Sequence, residues 1–500
     1  MKNAKVTNFS TIALWLLLAV AAVVTRFYDL GNKPIHFDES INGWFVMQMQ
    51  NLGYYKYDPS NYHGPLYFYL LQAAEVLWGR SLEVLRVVPS VFSVLSVMIF
   101  TFGVLRSRPM QKWLSFFVLL SPAFLFFGRS GIHEMPFVFF QIVFALGVLR
   151  WWEQNDSKAL GLMMVGLFGM TTLKETFVIT LFCWGVALIA AGPSVWRTVL
   201  SKEKFRQAWN MRLTFLFLFL LFLFAVVFTG YFRHMAGLVD FVRAFLPWMN
   251  TGVQGHGHEK PFWYWLQVLW QAEPLVLLGV VVACAGVVSK NIPLRVMSVF
   301  SLVQLLIYSV IPYKTVWCVL TLVWGFYFVL ALTLAEITAG RARLALWACV
   351  GILTGLGLNS AYASVYRKPL QLEHPYIYVN STYELQKLQD VLLTAAKNNP
   401  EMLREYVQIG MKEQWPWPWI LRSFTKMDYS LCTKHILENA VVYFCDRDGA
   451  YNVEHEIHEP YWKVELTLRQ ARDSSLVYLK KSVFPEIPFT GAETVGEEEE

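Results

Sequence analysis

Charge is scarce in this sequence: of 500 residues only 16% are Asp, Glu, Lys or Arg, whereas 56% are hydrophobic. A soluble globule of this length needs more polar surface, so the shortage excludes one and points to a chain that crosses a bilayer many times. Concentrated positive charge is also missing. The formal net charge is +6, yet Lys and Arg stand singly or in short clusters between apolar runs. That pattern reports topology rather than a nucleic-acid footprint, and no nucleic-acid partner is expected. Cysteine is sparse, with six in the chain. Cys183, Cys284, Cys318 and Cys349 lie in or beside apolar segments, where a thiol behaves as a small hydrophobe. Cys432 and Cys445 can pair if their compartment is oxidising. The first apolar run lacks a convincing small-residue cleavage site and reads as an uncleaved span. HEIHE at 455–459 lacks the i, i+4 histidines of a zincin helix.

What is abundant is apolar sequence in runs of about 20 residues, the length that crosses a hydrocarbon core. Eleven spans are expected, near 9–28, 87–105, 113–127, 135–150, 159–173, 176–192, 213–230, 266–288, 296–311, 316–335 and 344–362. The segment 63–79 has too short an apolar core and is interrupted by Gln72 and Glu75, so it reads as an interfacial helix. Charge supports this choice. The connecting segments 1–8, 106–112, 150–158, 193–212, 289–295 and 337–343 hold 16 Lys and Arg in 58 residues. The opposite segments 29–86, 128–134, 173–175, 231–265 and 312–315 hold 10 in 107. The positive-inside rule then places the N-terminus in the cytoplasm, with everything after residue 362 outside. The longest cytoplasmic segment, 193–212, suits anionic lipid headgroups.

The outer segments gather chemistry that the inner ones lack. They carry the acids Asp38, Glu39, Glu134 and Glu175, the bases Arg86, Arg129, Lys174, Lys260 and Lys314, and the imidazoles His36, His63, His133, His256 and His258. Ionisable groups near a membrane face are costly to desolvate, so their concentration on one side marks a functional site. Such a set can deprotonate a hydroxyl and hold a phosphate, or bind a metal. Each piece also has a plainer explanation. Adjacent acids in a loop are usually just solvated, lysines at span ends snorkel, His133-Glu134 can cap the helix that follows, and GHGH is a flexible loop more often than a metal tract.

The order of HFDE, HGPLYFYL, LRVVPSVFSVL and GRSGIHEM resembles the GT-C superfamily of membrane glycosyltransferases that use lipid-phosphate sugars. This superfamily includes the protein O-mannosyltransferases and the aminoarabinose transferases of lipid A. HGHEKPFWYW, PYKTVWC and EQWPWPWILR resemble more closely the prokaryotic flippase-activity-associated family. The resemblance runs from the first span to about residue 480. It implies that Asp38 is the general base for an acceptor hydroxyl and that Glu39 orients it or binds a cation. It implies too that Arg86, Arg129, Lys174, Lys260, Lys314 and His63 are candidates for contacts to a polyprenyl-phosphate-linked sugar donor. His36, Glu134, His256 and His258 are the candidate ligands if a divalent metal ion takes part. The resemblance implies transfer with inversion at the anomeric centre to an acceptor that is a protein, a lipid or a polysaccharide.

After residue 362 the composition changes. STYELQKLQDVLLTAAKNN has helical spacing, and NAVVYFCD, YWKVELTLRQ and SLVYLKKSVF read as strands. The expected organisation is a polytopic α-helical membrane domain over 1–362 with its first outer loop at 29–86, an outer α/β domain over 363–490, and a disordered acidic tail over 491–500. WPWPW reads as extended, because alternate prolines oppose a helix. Two other functions compete with transfer: a lipid-linked glycan flippase or transporter, which calls for mid-span polar residues or broken helices, and a non-catalytic scaffold of an envelope glycan complex. Few such polar residues and no internal repeat are visible.

Overall fold

The computed structural model describes residues 9–61, 63–102, 104–105, 107–255, 257–337, 341–371, 373–469 and 474–496. The chain divides into two compact units, Met1–Leu30 with Val46–Tyr376, and Gly31–Phe45 with Ile377–Glu500. The second unit is therefore discontinuous in sequence. A piece of the first outer loop belongs with the C-terminal part, where a single boundary at 362/363 was expected.

The first unit is a polytopic helical membrane domain. Among the described residues six helices are long and apolar enough to cross a membrane: Leu82–Thr101, Glu134–Gln154, Met211–Phe228, Ile292–Val310, Val316–Glu336 and Arg343–Arg367. Four shorter apolar helices, Ile12–Phe27, Ser157–Leu173, Phe177–Ala190 and Pro274–Gly286, fall on further expected spans. The expected span 113–127 is broken, with Arg108–Leu120 and Pro122–Phe127 meeting at Ser121. The span 266–288 is likewise broken, between Tyr264–Ala272 and Pro274–Gly286 at Glu273. Proline at the start of each second half explains both breaks, since it cannot continue the preceding helix but suits a first turn.

The two breaks are tied to one another. The Glu273 carboxylate accepts from Ala123 N at 2.6 Å, Ser121 Oγ at 3.3 Å, Tyr327 OH at 2.8 Å and Tyr376 OH at 2.8 Å. It is 1% exposed, and four donors offset the loss of its water. The segment 63–79 contains the helix Leu66–Trp78, too short for a perpendicular crossing, as expected.

The second unit carries a six-stranded mixed sheet: β1 (Tyr406–Gly410), β2 (Lys426–Asp428), β3 (Val442–Asp446), β4 (Tyr461–Thr467), β5 (Ser474–Lys480) and β6 (Glu493–Val495), in the order β2-β1-β3-β5-β4-β6. The β2-β1-β3 pairs are parallel and the remainder antiparallel. The helix Tyr383–Asn398 has Thr382 as its N-cap, the hydroxyl accepting from Leu385 N at 3.2 Å. A disulfide joins Cys432 to Cys445 with the Cα atoms 5.8 Å apart. Two expectations are corrected. The tail is ordered as far as β6, where Tyr461 faces Val495 in register; residues 497–500 lie outside the described residues. WPWPW is not extended throughout, because Trp417–Ile420 forms a short helix with Pro418 in its first turn, a position proline tolerates.

Candidate active site

In the second unit, the stretch HFDES starts a helix. Phe37–Leu52 carries Asp38 and Glu39 in its first turn, where carboxylates favour the positive end of the helix dipole. His36 is the cap. Its Nδ1 accepts from Asp38 N at 3.1 Å, and Glu39 Oε2 accepts from His36 N at 2.8 Å. This is the reciprocal pattern of a capping box with imidazole in place of a hydroxyl. His36 Nε2 meets the carbonyl of Tyr378 at 2.8 Å, and His36 pairs with Asn380 in an antiparallel bridge.

Glu39 is fully buried, and its Oε2 holds the backbone N–H of His36 at the helix start. Asp38, at the second helical position, is half-buried. The next turn packs on the tryptophan segment. Trp44 meets Trp415 edge-on at 5.9 Å, and a Cβ on Gly43 would stand 2.2 Å from Trp419 Nε1. Trp417 and Trp419 are 1% and 3% exposed, which makes them packing residues.

In the helical unit, four of the sequence motifs, HGPLY, GIHEM, LKET and PYKTVWC, meet in one buried cluster. His63 pairs with Lys174 in a strand-like bridge, and Gly64 N donates to Leu173 O at 3.1 Å. Only glycine permits this approach, since a Cβ at position 64 would lie 2.2 Å from Thr172 O. Lys174 Nζ donates to both oxygens of Glu134 at 2.8 Å and lies 3.9 Å from Cys318 Sγ. The His133 ring lies 4.6 Å from that of His63 and 4.4 Å from that of Tyr67. Tyr57 OH donates to Glu175 Oε1 at 3.4 Å. His133 Nε2 and Glu175 Oε2 are buried and have no hydrogen-bond partner among the described residues.

Burial sets the charge states here. It pushes His63 down to about 3 and His133 well below the usual imidazole range, the neighbouring Lys174 acting in the same direction. It pushes Glu175 up to about 8. For Lys174 burial works against the charge, but Cys318 and Glu134 outweigh it and leave the ammonium above the usual lysine range. The cluster thus holds one firmly charged lysine, its carboxylate partner, and neutral imidazoles.

The other candidates are used differently. Arg86 Nη1 donates to Leu30 O at 2.6 Å. Arg129 donates to the carbonyls of Tyr28 at 2.6 Å, Asp29 at 2.7 Å and Arg26 at 3.2 Å. These guanidinium groups stand over the C-terminal end of the first span, where carbonyls lack helical partners and cations are favoured. Lys314 Nζ likewise donates to the carbonyls of Ile311 at 2.5 Å and Lys260 at 3.1 Å.

Lys260 belongs to a loop that pairs with 312–314: Lys260 N donates to Pro312 O and Lys314 N to His258 O, both at 3.1 Å. His258 packs edge-on against Tyr313 at 5.2 Å, and His256 lies outside the described residues. The expected metal ligands do not fit a resident ion. Both ring nitrogens of His36 and both oxygens of Glu134 are engaged, and among the described residues no three His, Cys, Asp or Glu side chains converge. Sequence reasoning missed Tyr57 and Glu273. The lone Glu-Pro pair inside an apolar run was the signal for the latter.

The fold is shared with a solved membrane protein, ArnT. The chain is similar to crystal structures of ArnT from Cupriavidus metallidurans. Against the apo state the TM-score is 0.64 at 12% identity, covering 94% of this chain and 98% of that one. Against ArnT bound to undecaprenyl phosphate it is 0.60 at 12% identity, covering 93% and 97%. No protein-family model and no curated protein matches the sequence.

Proposed function

We propose that this protein is a membrane glycosyltransferase that moves a sugar from a polyprenyl-phosphate carrier to an acceptor hydroxyl at the outer face of the membrane. The observation that carries this reading is the buried Lys174–Glu134–His133–His63 cluster, which three separate helix ends build and which retains unpartnered polar atoms at His133 and Glu175. Buried polar atoms without protein partners call for a polar ligand. The likeness in fold to ArnT, one of whose structures holds undecaprenyl phosphate, supports a lipid phosphate as that ligand.

Lys174 is the group for the donor phosphate. An ammonium already stripped of water acts more strongly on a developing phosphate anion than a solvated one. Asp38 takes the proton of the acceptor hydroxyl, and the acceptor oxygen attacks the anomeric carbon. The bond from that carbon to the phosphate oxygen breaks, leaving its electron pair on the polyprenyl phosphate. One base and no covalent enzyme intermediate give inversion. Arg86, Arg129 and Lys314 support the scaffold through backbone carbonyls and are not assigned to the donor.

A transporter would use broken spans as half-helix ligand sites. Two broken spans are present, but the start of the half-helix Pro122–Phe127 is occupied by Glu273 of the other, which favours a fixed scaffold. The test is to express Asp38→Asn and Lys174→Ala and to follow lipid-linked sugars and envelope glycans. Donor accumulation with loss of one sugar from the glycan is expected for both. Unchanged glycans with folded protein would favour a scaffold.

A further inference from the structure

The segment that follows the span Met211–Phe228 folds back onto it. This span is the most apolar of the six long helices and only 17% of it is buried, so most of its surface is a lipid face. Beyond it the chain forms two short helices, Gly237–Arg243 and Phe245–Gln254. They run on through Ala244, whose N donates to Asp240 O at 2.8 Å and whose O accepts from Trp248 N at 3.2 Å. The helical period therefore holds across the joint.

The two faces of this element differ. Gly237, Asp240 and Ala244, at i, i+3 and i+7, are buried, and a Cβ on Gly237 would stand 1.9 Å from Phe228 O. On the opposite face Val239, Val242, Leu246, Met249 and Val253 recur at steps of three and four, each 53–77% exposed. Arg243, Asn250 and Gln254 form an exposed polar flank to that stripe. We propose that the stripe is inserted among the acyl chains of the bilayer leaflet around this end of the span, with the flank at headgroup level, so that the partner of this loop is the lipid surface.

Contacts with the span set the depth. Phe241 meets Phe228 at 4.9 Å and Phe224 at 5.2 Å, and Phe232 meets Phe222 at 6.0 Å. Phe222 is itself 55% exposed on the lipid face. It lies about 9 Å of helix rise inside the end of the span. The element thus runs beside the last turns of a membrane helix, and its stripe continues the same apolar surface. A second copy of the chain is a poorer occupant. Lipid tails are as apolar as the stripe, which offers none of the small or polar residues that draw membrane helices together. The other side of the element holds Phe177, three residues after Lys174, whose ring lies 6.1 Å from that of Phe245 and 6.5 Å from that of Phe241. Insertion therefore fixes the depth of the Lys174 turn in the bilayer, whatever reaction that turn serves.

The test is nitroxide labelling of the full chain in vesicles of phosphatidylethanolamine and phosphatidylglycerol. The background carries Cys284→Ser and Cys349→Ser, which remove the exposed free thiols. Val239→Cys, Leu246→Cys and Val253→Cys probe the stripe, and Asn250→Cys and Gln254→Cys the flank. Collision with oxygen, which concentrates in hydrocarbon, is compared with collision with a water-soluble nickel chelate. The oxygen-to-nickel ratio is expected to be several-fold higher at the stripe positions than at the flank positions. Equal ratios throughout, or nickel dominant on the stripe, would place the stripe in water and overturn the proposal. Spin–spin broadening at position 246 that is lost on dilution with unlabelled protein would put a second copy there and overturn it too. The labelled positions are all exposed, and the stripe sites report independently, so a change that disturbs one leaves the others to decide.

Discussion

The carboxylate of Glu39 accepts the backbone N–H of His36 at 2.8 Å, while the His36 ring accepts the N–H of Asp38 at 3.1 Å. Two adjacent acids are thereby given different work. One closes the helix start, and the other, at the second helical position, is the base proposed above. Glu39→Ala should lower unfolding stability in detergent by about 0.5–2 kcal/mol, the usual worth of a cap. Asp38→Asn should keep the melting temperature and lose transfer. A catalytic Glu39 would instead abolish transfer without a fall in stability.

The Lys174–Glu134 pair predicts strong non-additivity. Glu134→Leu leaves a buried ammonium without a partner and should cost about 3–5 kcal/mol. Adding Lys174→Met should recover most of that loss. The double variant, folded but without the ammonium, is expected to be inactive. A thermal-unfolding cycle alongside transfer assays separates the two effects, and additive destabilisation would show that the pair is not coupled.

These two relationships also show what the sequence could and could not disclose. Hydropathy located the spans because a bilayer imposes a length, a short buried apolar run marked β3, and alternation of residue type marked β4 and β5. The breaks at Ser121 and Glu273 escaped, since each lies inside a run whose mean hydropathy still reads as one span. The cluster at His63, His133, Glu134 and Lys174 was legible as residues that share a face. The roles of Arg86 and Arg129 were not, because a carbonyl at the end of the first span becomes a partner only once distant helices pack. His36 hid a capping box, as imidazole is an unusual cap.

Stability should depend on pH in a way that names Glu175. Its folded pKa of about 8 lies above the unfolded value of 4.5, so the folded state binds more protons between these values. This group therefore destabilises progressively as pH rises from about 4.5 to 8, by about 1.4 kcal/mol per pH unit. His63 has the opposite sign: with a folded pKa of about 3 against 6.5, it adds stability as pH rises from about 3 to 6.5, and His133 acts in the same direction. Above about pH 6.5 these imidazoles add nothing further, and Glu175 leaves a falling limb towards 8. Glu175→Gln should flatten that limb in melting curves recorded from pH 6 to 9. Persistence of the slope would assign it to another group.

The disulfide gives a count of reactive thiols. Cys183, Cys284, Cys318 and Cys349 are free, and Cys432 is joined to Cys445 across 13 positions. Maleimide labelling of denatured, unreduced protein should modify four cysteines, and labelling after reduction six. Cys432→Ser should destabilise the sheet unit by about 3 kcal/mol, the order expected for a loop of that length. Six labelled thiols without reduction would place the unit in a reducing compartment.

The discontinuity of the second unit bears on how the chain is made. Residues 31–45 leave the ribosome early, but Tyr378 and Asn380, which hold His36, follow only after the intervening segment 46–376. At roughly 5–20 residues per second the nascent turn waits on the order of tens of seconds for its anchor. Any product ending before that anchor carries Asp38 on an unsecured helix start, and by the role proposed for Asp38 such a product should insert yet transfer nothing.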